Sequence, residues 1–431
     1  FESSDIKGGI QSWSFDQDSS GLLYVANNDG LLEFDGNKWK KYIVPSCTKL
    51  RAVKVDSENR IFVGGQGQLG YFISTDGLDF TSLLSKLPAD FQNIAEVWKI
   101  LEYDNKIYFN TESQLIVFDG TDIKVLGLPG YMRFAFVVND KMFVQFYEIG
   151  IFELVDTTFI PIIETNIISD MVSILPHASG IYLFSKSGEI YNYSNKLLKE
   201  VLTPFQLRNI NDAILLENGQ FIIGTQNDGL FILNSDLSFK QHLTKKEGLS
   251  DRTVKSLYED DFNNLWVALN NGIDYLQLSL PLSLITDEVG LEGTGYSAYK
   301  HNNKFYLGTS NGLFKQTSNG LKYRRSKYEI VESSEGQVYN FSSIKGDLIL
   351  NHNNGAFTIE DDGLKQFHDI GSWKFLETRN PKIVVGGDYQ GISLFTKEKG
   401  NWLMLNRIPD LLESSRVMEF ENDSTLWMTH G

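Results

Sequence analysis

Cysteine and histidine are both scarce in this chain of 431 residues, which has one cysteine and six histidines. The single cysteine, Cys47, excludes an internal disulfide framework and a multi-cysteine zinc site. No histidine lies near Cys47 in the sequence, so we expect a buried, small apolar side chain there rather than a nucleophile. The histidines are spread widely, and no pair has the spacing of metal ligands. The sequence therefore predicts no metal site and no cofactor.

Basic residues and long hydrophobic runs are also lacking. The chain has 39 Lys and Arg against 55 Asp and Glu, a net charge of -16. This balance argues against direct contact with nucleic acid, because neutralising phosphates requires a basic surface. No apolar run reaches the ~18 residues that a membrane-spanning helix needs. The chain begins at Phe1 with no starting Met and no leader, and we expect a piece of a longer protein.

Apolar residues, in contrast, are plentiful at 42%, and aromatic residues make up 13%. This composition is sufficient for a buried core and excludes general disorder. The length exceeds the ~250–300 residues at which single cores stop growing. Two domains, or one array of repeats, are therefore expected.

A four-residue β-type segment with an aromatic or branched third position recurs along the whole chain, at intervals of about 40 residues. Such a period is typical of the blades of a β-propeller. The segments occupy residues 22–25, 60–63, 106–109, 141–144, 180–183, 220–223, 264–267, 304–307, 347–350, 382–385 and 425–428.

Most segments are followed six or seven residues later by a small residue and an apolar one, as in Gly30-Leu31 and Gly312-Leu313. Polar turns precede the segments, so each unit is predicted to form four short strands. Two stretches, 78–91 and 408–415, are interpreted as loops with one helical turn. Because propellers close with 4–8 blades, we predict an all-β fold of tandem β-propellers. Residues 1–285 form a seven-bladed ring, and residues 286–431 form the first blades of a second, truncated ring.

The strongest unit reads EGLSDRTV at residues 247–254, EDDFNNLWV at 259–267 and NGI at 271–273. It resembles the two-component regulator propeller repeat, and residues 12–39 resemble the opening blade of those sensors. The resemblance extends over every repeat, although several are degenerate: Gln114 replaces the usual glycine, and Val144-Gln145-Phe146 replaces Ile-Gly-Thr.

This resemblance implies the periplasmic sensor region of a Bacteroidetes regulator. Members of the family bind oligosaccharides and signal across the inner membrane to a histidine kinase or a helix-turn-helix output that controls polysaccharide utilisation. The implied partners are an oligosaccharide, the membrane through a C-terminal part that is missing from this chain, and a second copy in a homodimer.

The candidate ligand-binding residues come from counting ten or eleven positions back from the third residue of each recurring segment, to the starts of the first strands. Arg252 is placed at the equivalent position after allowing for a longer turn. Aromatic rings there could stack on sugar rings, and arginine could bind hydroxyl or acidic groups. An anionic glycan is one hypothesis, and packing between blades is the structural alternative for each aromatic residue. The candidates are Trp13, Arg51, Trp98, Arg133, Arg252, Tyr296, Tyr339 and Trp373, with Met171, Asn211 and Arg416 at equivalent positions.

Two other functions remain open. A two-propeller glycoside hydrolase or polysaccharide-degrading enzyme would need two carboxylates about 5–10 Å apart. However, the Ser-x-Asp-x-Gly-x-x-Trp boxes of such enzymes are lacking. A protein-interaction scaffold of the WD-repeat kind would show Gly-His and Trp-Asp marks, which are lacking as well. We therefore predict a sensor without catalytic residues.

Overall fold

The computed structural model describes residues 1–47, 49–74, 77–164, 170–178, 180–278, 290–317, 327–360 and 363–430. The chain divides into two compact units, Phe1–Pro281 (unit 1) and Leu282–Gly431 (unit 2). The boundary predicted between residues 285 and 286 lies outside the described residues. No helix in the described ranges is long and apolar enough to cross a membrane.

Antiparallel sheets, most of them four-stranded, make up the described part of unit 1. The single α-helix described there, α1 (Ser3–Ile6), precedes the first sheet, and short 3-10 turns occur at Leu84–Lys86, Ala89–Phe91 and Lys245–Glu247. The sheets of unit 1 are β1–β4 (Ser12–Gln17, Leu23–Asn27, Gly30–Phe34, Trp39–Tyr42), β5–β8 (Leu50–Val55, Ile61–Gly65, Gln68–Ser74, Leu78–Ser82), β9–β12 (Val97–Tyr103, Lys106–Thr111, Leu115–Phe118, Ile123–Leu126), β13–β16 (Met132–Val138, Lys141–Phe146, Gly150–Val155, Thr158–Glu164), β17–β20 (Met171–His177, Gly180–Ser185, Ile190–Ser194, Leu197–Glu200), β21–β24 (Ile210–Leu215, Phe221–Thr225, Leu230–Leu233, Phe239–Leu243) and β25–β27 (Val254–Glu259, Leu265–Leu269, Ile273–Leu276).

Unit 2 repeats the same arrangement. Its sheets are β28–β31 (Gly295–His301, Lys304–Thr309, Leu313–Thr317, Lys327–Ile330), β32–β35 (Val338–Ile344, Asp347–His352, Gly355–Glu360, Gly363–His368), β36–β39 (Ser372–Glu377, Val384–Asp388, Gly391–Glu398, Asn401–Arg407) and β40–β41 (Ser415–Asn422, Thr425–His430).

The all-β propeller class is confirmed. Each recurring segment of the sequence lies on the second strand of its sheet, and the first strands contact one another in succession around each unit. The stretch at residues 78–91, interpreted as a loop, begins with the outer strand β8 and continues in the two 3-10 turns. The side chains of β8 alternate between half-buried and exposed, as expected of an outer strand with one face packed on a neighbour.

The core lies between successive sheets rather than on a central axis. Phe62 of β6 packs against Phe109 and Phe118 of the next sheet, with ring centroids 6.2 and 5.9 Å apart. All three side chains are fully buried. This packing explains why the second strand of each sheet is the most apolar segment of its repeat: it has a neighbouring sheet on both faces.

Hydroxyl and carboxylate groups join adjacent inner strands. The Ser14 Oγ accepts a hydrogen bond from the Val53 amide at 2.9 Å, and the Ser173 Oγ accepts one from the Ala213 amide at 3.0 Å. Ser342 accepts in the same way from an inner strand of unit 2. These bonds satisfy inner-strand amides at the sheet edge, where no further strand pairs with them.

Unit 1 is closed by contacts between its first and last sheets. β25 lies against β1, and Ile273 exchanges two backbone hydrogen bonds with Phe1, at 2.7 and 3.0 Å. The Phe1 ring stacks on Trp266 with a centroid distance of 6.0 Å. Trp266 is buried, and its Nε1 donates to Asp260 at 3.0 Å.

We expect Trp266→Ala to lower the free energy of unfolding by about 3–5 kcal/mol, because it leaves a cavity where the first and last sheets of unit 1 meet. Urea denaturation monitored by circular dichroism measures this change. The matched control is Phe262→Ala in the preceding turn, where the ring is exposed and the expected change is within about 0.5 kcal/mol. Equal losses in the two variants would contradict the role of Trp266 in closure.

Candidate functional site

A β-bulge interrupts the start of every inner strand. In β1, Ser12 and Ser14 pair with consecutive residues of β2, which leaves Trp13 without a partner in the ladder. Bulges redirect side chains and are common beside binding sites. The residues at or within these bulges are Trp13, Arg51, Trp98, Arg133, Val172, Asn211 and Lys255 in unit 1, and Tyr296, Tyr339, Trp373 and Arg416 in unit 2.

The count from the sequence thus selected the bulge residues, with two departures. Arg252 lies three residues before the bulge of the seventh sheet, which Lys255 occupies. Arg252 is exposed on the connection that leads to β25. In the fifth sheet the bulge residue is Val172 rather than Met171. Val172 and Lys255 lie ten and eleven residues before Tyr182 and Trp266, so the same count reaches both of them. The departures come from taking the longer offset at Met171 and from the allowance for a longer turn at Arg252.

In unit 1, cations and indole rings alternate along neighbouring strands. The Arg51 guanidinium lies 3.8 Å from the centroid of Trp13 and 5.3 Å from that of Trp98. The Lys255 ammonium lies 5.2 Å from Trp13, which Arg51 contacts from the next strand. These are cation–π contacts that join four blades.

The two arginine–carboxylate pairs of this face differ in exposure. Arg51 pairs with Glu96 at 3.3 Å, and the two side chains are only 9% and 22% exposed. Arg133 pairs with Asp170 at 2.6 Å, and these side chains are 35% and 41% exposed. The first pair is therefore part of the packing between blades, whereas the second is accessible to a ligand.

In unit 2, the bulge residues form a row of rings. Tyr339 stacks on Trp373 at 4.2 Å, and the Arg416 guanidinium lies 4.9 Å from the Trp373 ring. Because β32 and β40 flank β36, Tyr339 and Arg416 contact the indole from the two adjacent strands. Tyr296, 6.3 Å from Tyr339, is exposed at the other end of the row.

Sequence reasoning missed Tyr389, which lies in the turn between β37 and β38. Its hydroxyl is 2.6 Å from the Tyr339 hydroxyl, and its ring is 5.3 Å from Trp373. Gly371 leaves space for this ring, since a Cβ there would come within 2.6 Å of the ring edge. Burial and the hydrogen bond with Tyr339 raise the pKa of Tyr389, so its hydroxyl is protonated at neutral pH.

A pattern in the turns marks Tyr389. In the described sheets, the turns between second and third strands consist of polar residues and glycine, as in Asn28-Asp29 and Asn353-Asn354. Tyrosine occurs in two of them, at Tyr147 and Tyr389. Aligning these turns in the sequence would have found both residues.

Lys99 follows Trp98 on β9. Its ammonium group lies 4.1 Å from the centroid of Phe136 and 5.0 Å from that of Phe134. Burial lowers the pKa of Lys99 to about 8, and the carboxylate of Asp212 partly opposes this effect. Burial also raises the pKa of Asp212, which accepts a hydrogen bond from the Leu257 amide at 2.9 Å.

Among the described residues, no group of three His, Cys, Asp or Glu side chains could hold a metal ion.

Arg51→Ala should lower the free energy of unfolding by about 3–5 kcal/mol, because it removes the cation between two indoles and leaves Glu96 unpaired. Arg133→Ala removes the cation of the more exposed pair and should lower the free energy of unfolding by no more than about 1 kcal/mol. Urea denaturation of both variants tests this difference. If Arg133→Ala were the more destabilising, the assignment of Arg51 to packing would be wrong.

The lowered pKa of Lys99 predicts a pH dependence of stability. Between the folded value of about 8 and the unfolded value of about 10.4, the unfolded state binds more protons. The free energy of unfolding therefore rises with pH across this window. Lys99→Met should show a smaller rise between pH 8 and pH 9.5 than the parent protein in urea denaturation. The exposed Lys240→Met is the control, and identical slopes for Lys99→Met and the parent would refute the prediction.

The fold is shared with extracellular domains of sensor proteins. The chain is similar to the extracellular domain of the hybrid two-component system BT3049 from B. thetaiotaomicron, with a TM-score of 0.73 and 16% identity over 98% of this chain and 62% of that one. The extracellular domain of the hybrid two-component system BT4673 from the same organism matches with a TM-score of 0.52 and 14% identity, over 97% of this chain and 62% of that one. The chain thus spans less than two thirds of these domains.

An enzyme also shares part of the fold. A streptogramin B lyase matches with a TM-score of 0.52 and 15% identity, over 62% of this chain and 94% of that one. No protein-family model and no curated protein matches the sequence. The resemblance drawn from the repeat is confirmed at the level of the fold: the chain has the β-propeller architecture of extracellular domains of hybrid two-component systems.

Proposed function

We propose that this chain is the ligand-sensing part of an extracytoplasmic receptor and that it binds an oligosaccharide. The supporting observation is the aromatic cluster of unit 2. The cluster offers the rings and hydroxyl groups of three tyrosines, Tyr296, Tyr339 and Tyr389. The Trp373 ring packs against Tyr339 and Tyr389. Rings and hydroxyls side by side suit the apolar faces and the hydroxyl groups of sugars.

The exposed rings are better ligand contacts than the half-buried ones. Trp13 and Trp373 have a cation or a ring from each flanking strand, so their faces are occupied by protein. Tyr296 and Tyr389 are exposed and have only their row neighbours. We therefore assign packing as the main role of Trp13 and Trp373. Direct ligand contact by them and by Arg51, Trp98 and Arg252 stays a prediction.

The hydroxyl network of the cluster favours a sugar over a purely apolar ligand. The Tyr339 hydroxyl donates to the Gln337 side chain at 2.6 Å and also lies 2.6 Å from the Tyr389 hydroxyl. The network holds both phenols in place before a ligand arrives, which reduces the entropic cost of binding.

Signalling would follow from differential binding. A ligand shifts a receptor only if it binds one arrangement more tightly than another. A periplasmic location, a membrane tether in a further part of the protein, a homodimer and an output controlling polysaccharide utilisation belong to this proposal. The extracellular domains with the same fold support the extracytoplasmic sensing role within it.

Calorimetric titration of the purified chain with neutral and acidic oligosaccharides tests the proposed function. Chromatography of the mixture after titration detects any cleavage products. Binding without cleavage is expected. Tyr389→Ala should weaken binding at least ~10-fold, equivalent to about 1.4 kcal/mol, because it removes a ring and its hydroxyl.

The matched control for this titration is Trp427→Ala, an exposed indole on β41 outside the cluster, which should leave affinity unchanged. Cleavage of the oligosaccharide would instead support the degrading enzyme. Absence of binding to any glycan would support the protein-interaction scaffold.

A further inference from the structure

The second tyrosine-bearing turn lies in unit 1, between β14 and β15. It reads Tyr147-Glu148-Ile149, where the corresponding turns elsewhere in the described chain carry polar residues and glycine, apart from the Tyr389 turn. Apolar side chains in a turn gain nothing from water, and here they have not been buried. The departure from the repeat therefore requires another explanation.

Three apolar side chains are exposed together at this turn. Tyr131, just before β13, is 54% exposed, Tyr147 is 47% exposed and Ile149 is 37% exposed. The Tyr147 amide donates to the Tyr131 carbonyl at 2.8 Å, which brings the two tyrosines side by side at the end of the sheet. Clustered exposed aromatic groups on a folded domain commonly mark a binding surface.

The turn is held rigidly. Gly150, with a φ of +129°, lies so close to the Ile163 carbonyl that a Cβ would not fit, and Gly130 leaves space for the Ile149 side chain. The Ile149 amide also donates to the Phe146 carbonyl at 3.3 Å. A turn fixed in this way presents the tyrosines without the entropic cost of ordering a mobile loop on binding.

A polar pair lies at the same end of the strands as the tyrosines. Arg133 lies in the bulge of β13, two residues after Tyr131, and its guanidinium pairs at 2.6 Å with Asp170, which directly precedes the next inner strand, β17. The pair is about a third exposed, so it offers guanidinium donors next to carboxylate acceptors with no net charge. Adjacent donors and acceptors match neighbouring hydroxyl groups, and a neutral pair gives no preference for an anion.

We propose that Tyr131, Tyr147, Arg133 and Asp170 form a second saccharide-binding site, which takes an uncharged sugar. The tyrosine rings contact the apolar face of the sugar, and Arg133 and Asp170 bind adjacent hydroxyls. The class of ligand rests on the proposed function, whereas the site is on a different unit from the Tyr389 cluster. Arg51 and Arg133 are each paired with a carboxylate, which disfavours an anionic glycan at these two residues.

Calorimetric titration of the full chain tests this site. The ligands are uncharged fragments of glucan, mannan, xylan, arabinan and galactan, with oligogalacturonate as the acidic comparison. At least one uncharged fragment should bind. Tyr147→Ala and Arg133→Met should each weaken its binding at least ~10-fold. The control is Phe262→Ala, an exposed ring in a turn at the other end of the strands of unit 1, which should leave binding unchanged.

The variants separate this inference from the proposed function. If Tyr389→Ala weakens binding and Tyr147→Ala does not, the proposed function stands and the second site is refuted. The second site would also be refuted if oligogalacturonate were the only ligand that binds. It would equally be refuted if Tyr147→Ala bound every uncharged fragment with the affinity of the parent protein. Unaltered thermal unfolding of each variant shows that any loss of affinity is local.

Discussion

The packing of each inner strand against its two neighbours is the constraint on which both units depend. These strands have an edge without a further strand, so their amides are satisfied by side chains such as Ser14 and Ser173 on the adjacent blade. A bulge at the start of each strand then releases one side chain from the ladder. The same geometry holds the blades together and collects those side chains on one face of each unit.

Collecting side chains in this way makes them compete for the same space. A bulge residue meets the bulge residues of the strands on either side, so aromatic rings and cations stack in rows, with Arg51 between Trp13 and Trp98, and Trp373 between Tyr339 and Arg416. Stacking stabilises the packing between blades, but it covers the faces of the aromatic rings in the middle of each row. Residues at the ends of a row, or in the adjoining turns, therefore keep the surface that a ligand can use.

As a result, some of these residues mainly stabilise the packing between blades, whereas others keep a surface that a ligand can contact. Arg51 and Arg133 occupy equivalent positions, yet the pair with Glu96 is buried and the pair with Asp170 is accessible. The difference comes from the neighbours: Arg51 lies between two indoles, whereas Arg133 has Phe134 near its guanidinium at 6.0 Å. Residue type and position in the repeat alone do not distinguish the two.

The sequence by itself determined the propeller class, the second strand of every sheet and most of the bulge positions, because these follow from a period of about 40 residues and a local alternation of apolar residues. It did not identify Lys255, because the allowance for a longer turn moved the count from Lys255, eleven residues before Trp266, to Arg252. Only the tertiary structure decided which rings are covered and which arginine is paired in a buried site. Those properties depend on side chains from neighbouring blades about 40 residues away, and on turns such as Tyr147 and Tyr389 that lie outside the repeated segment.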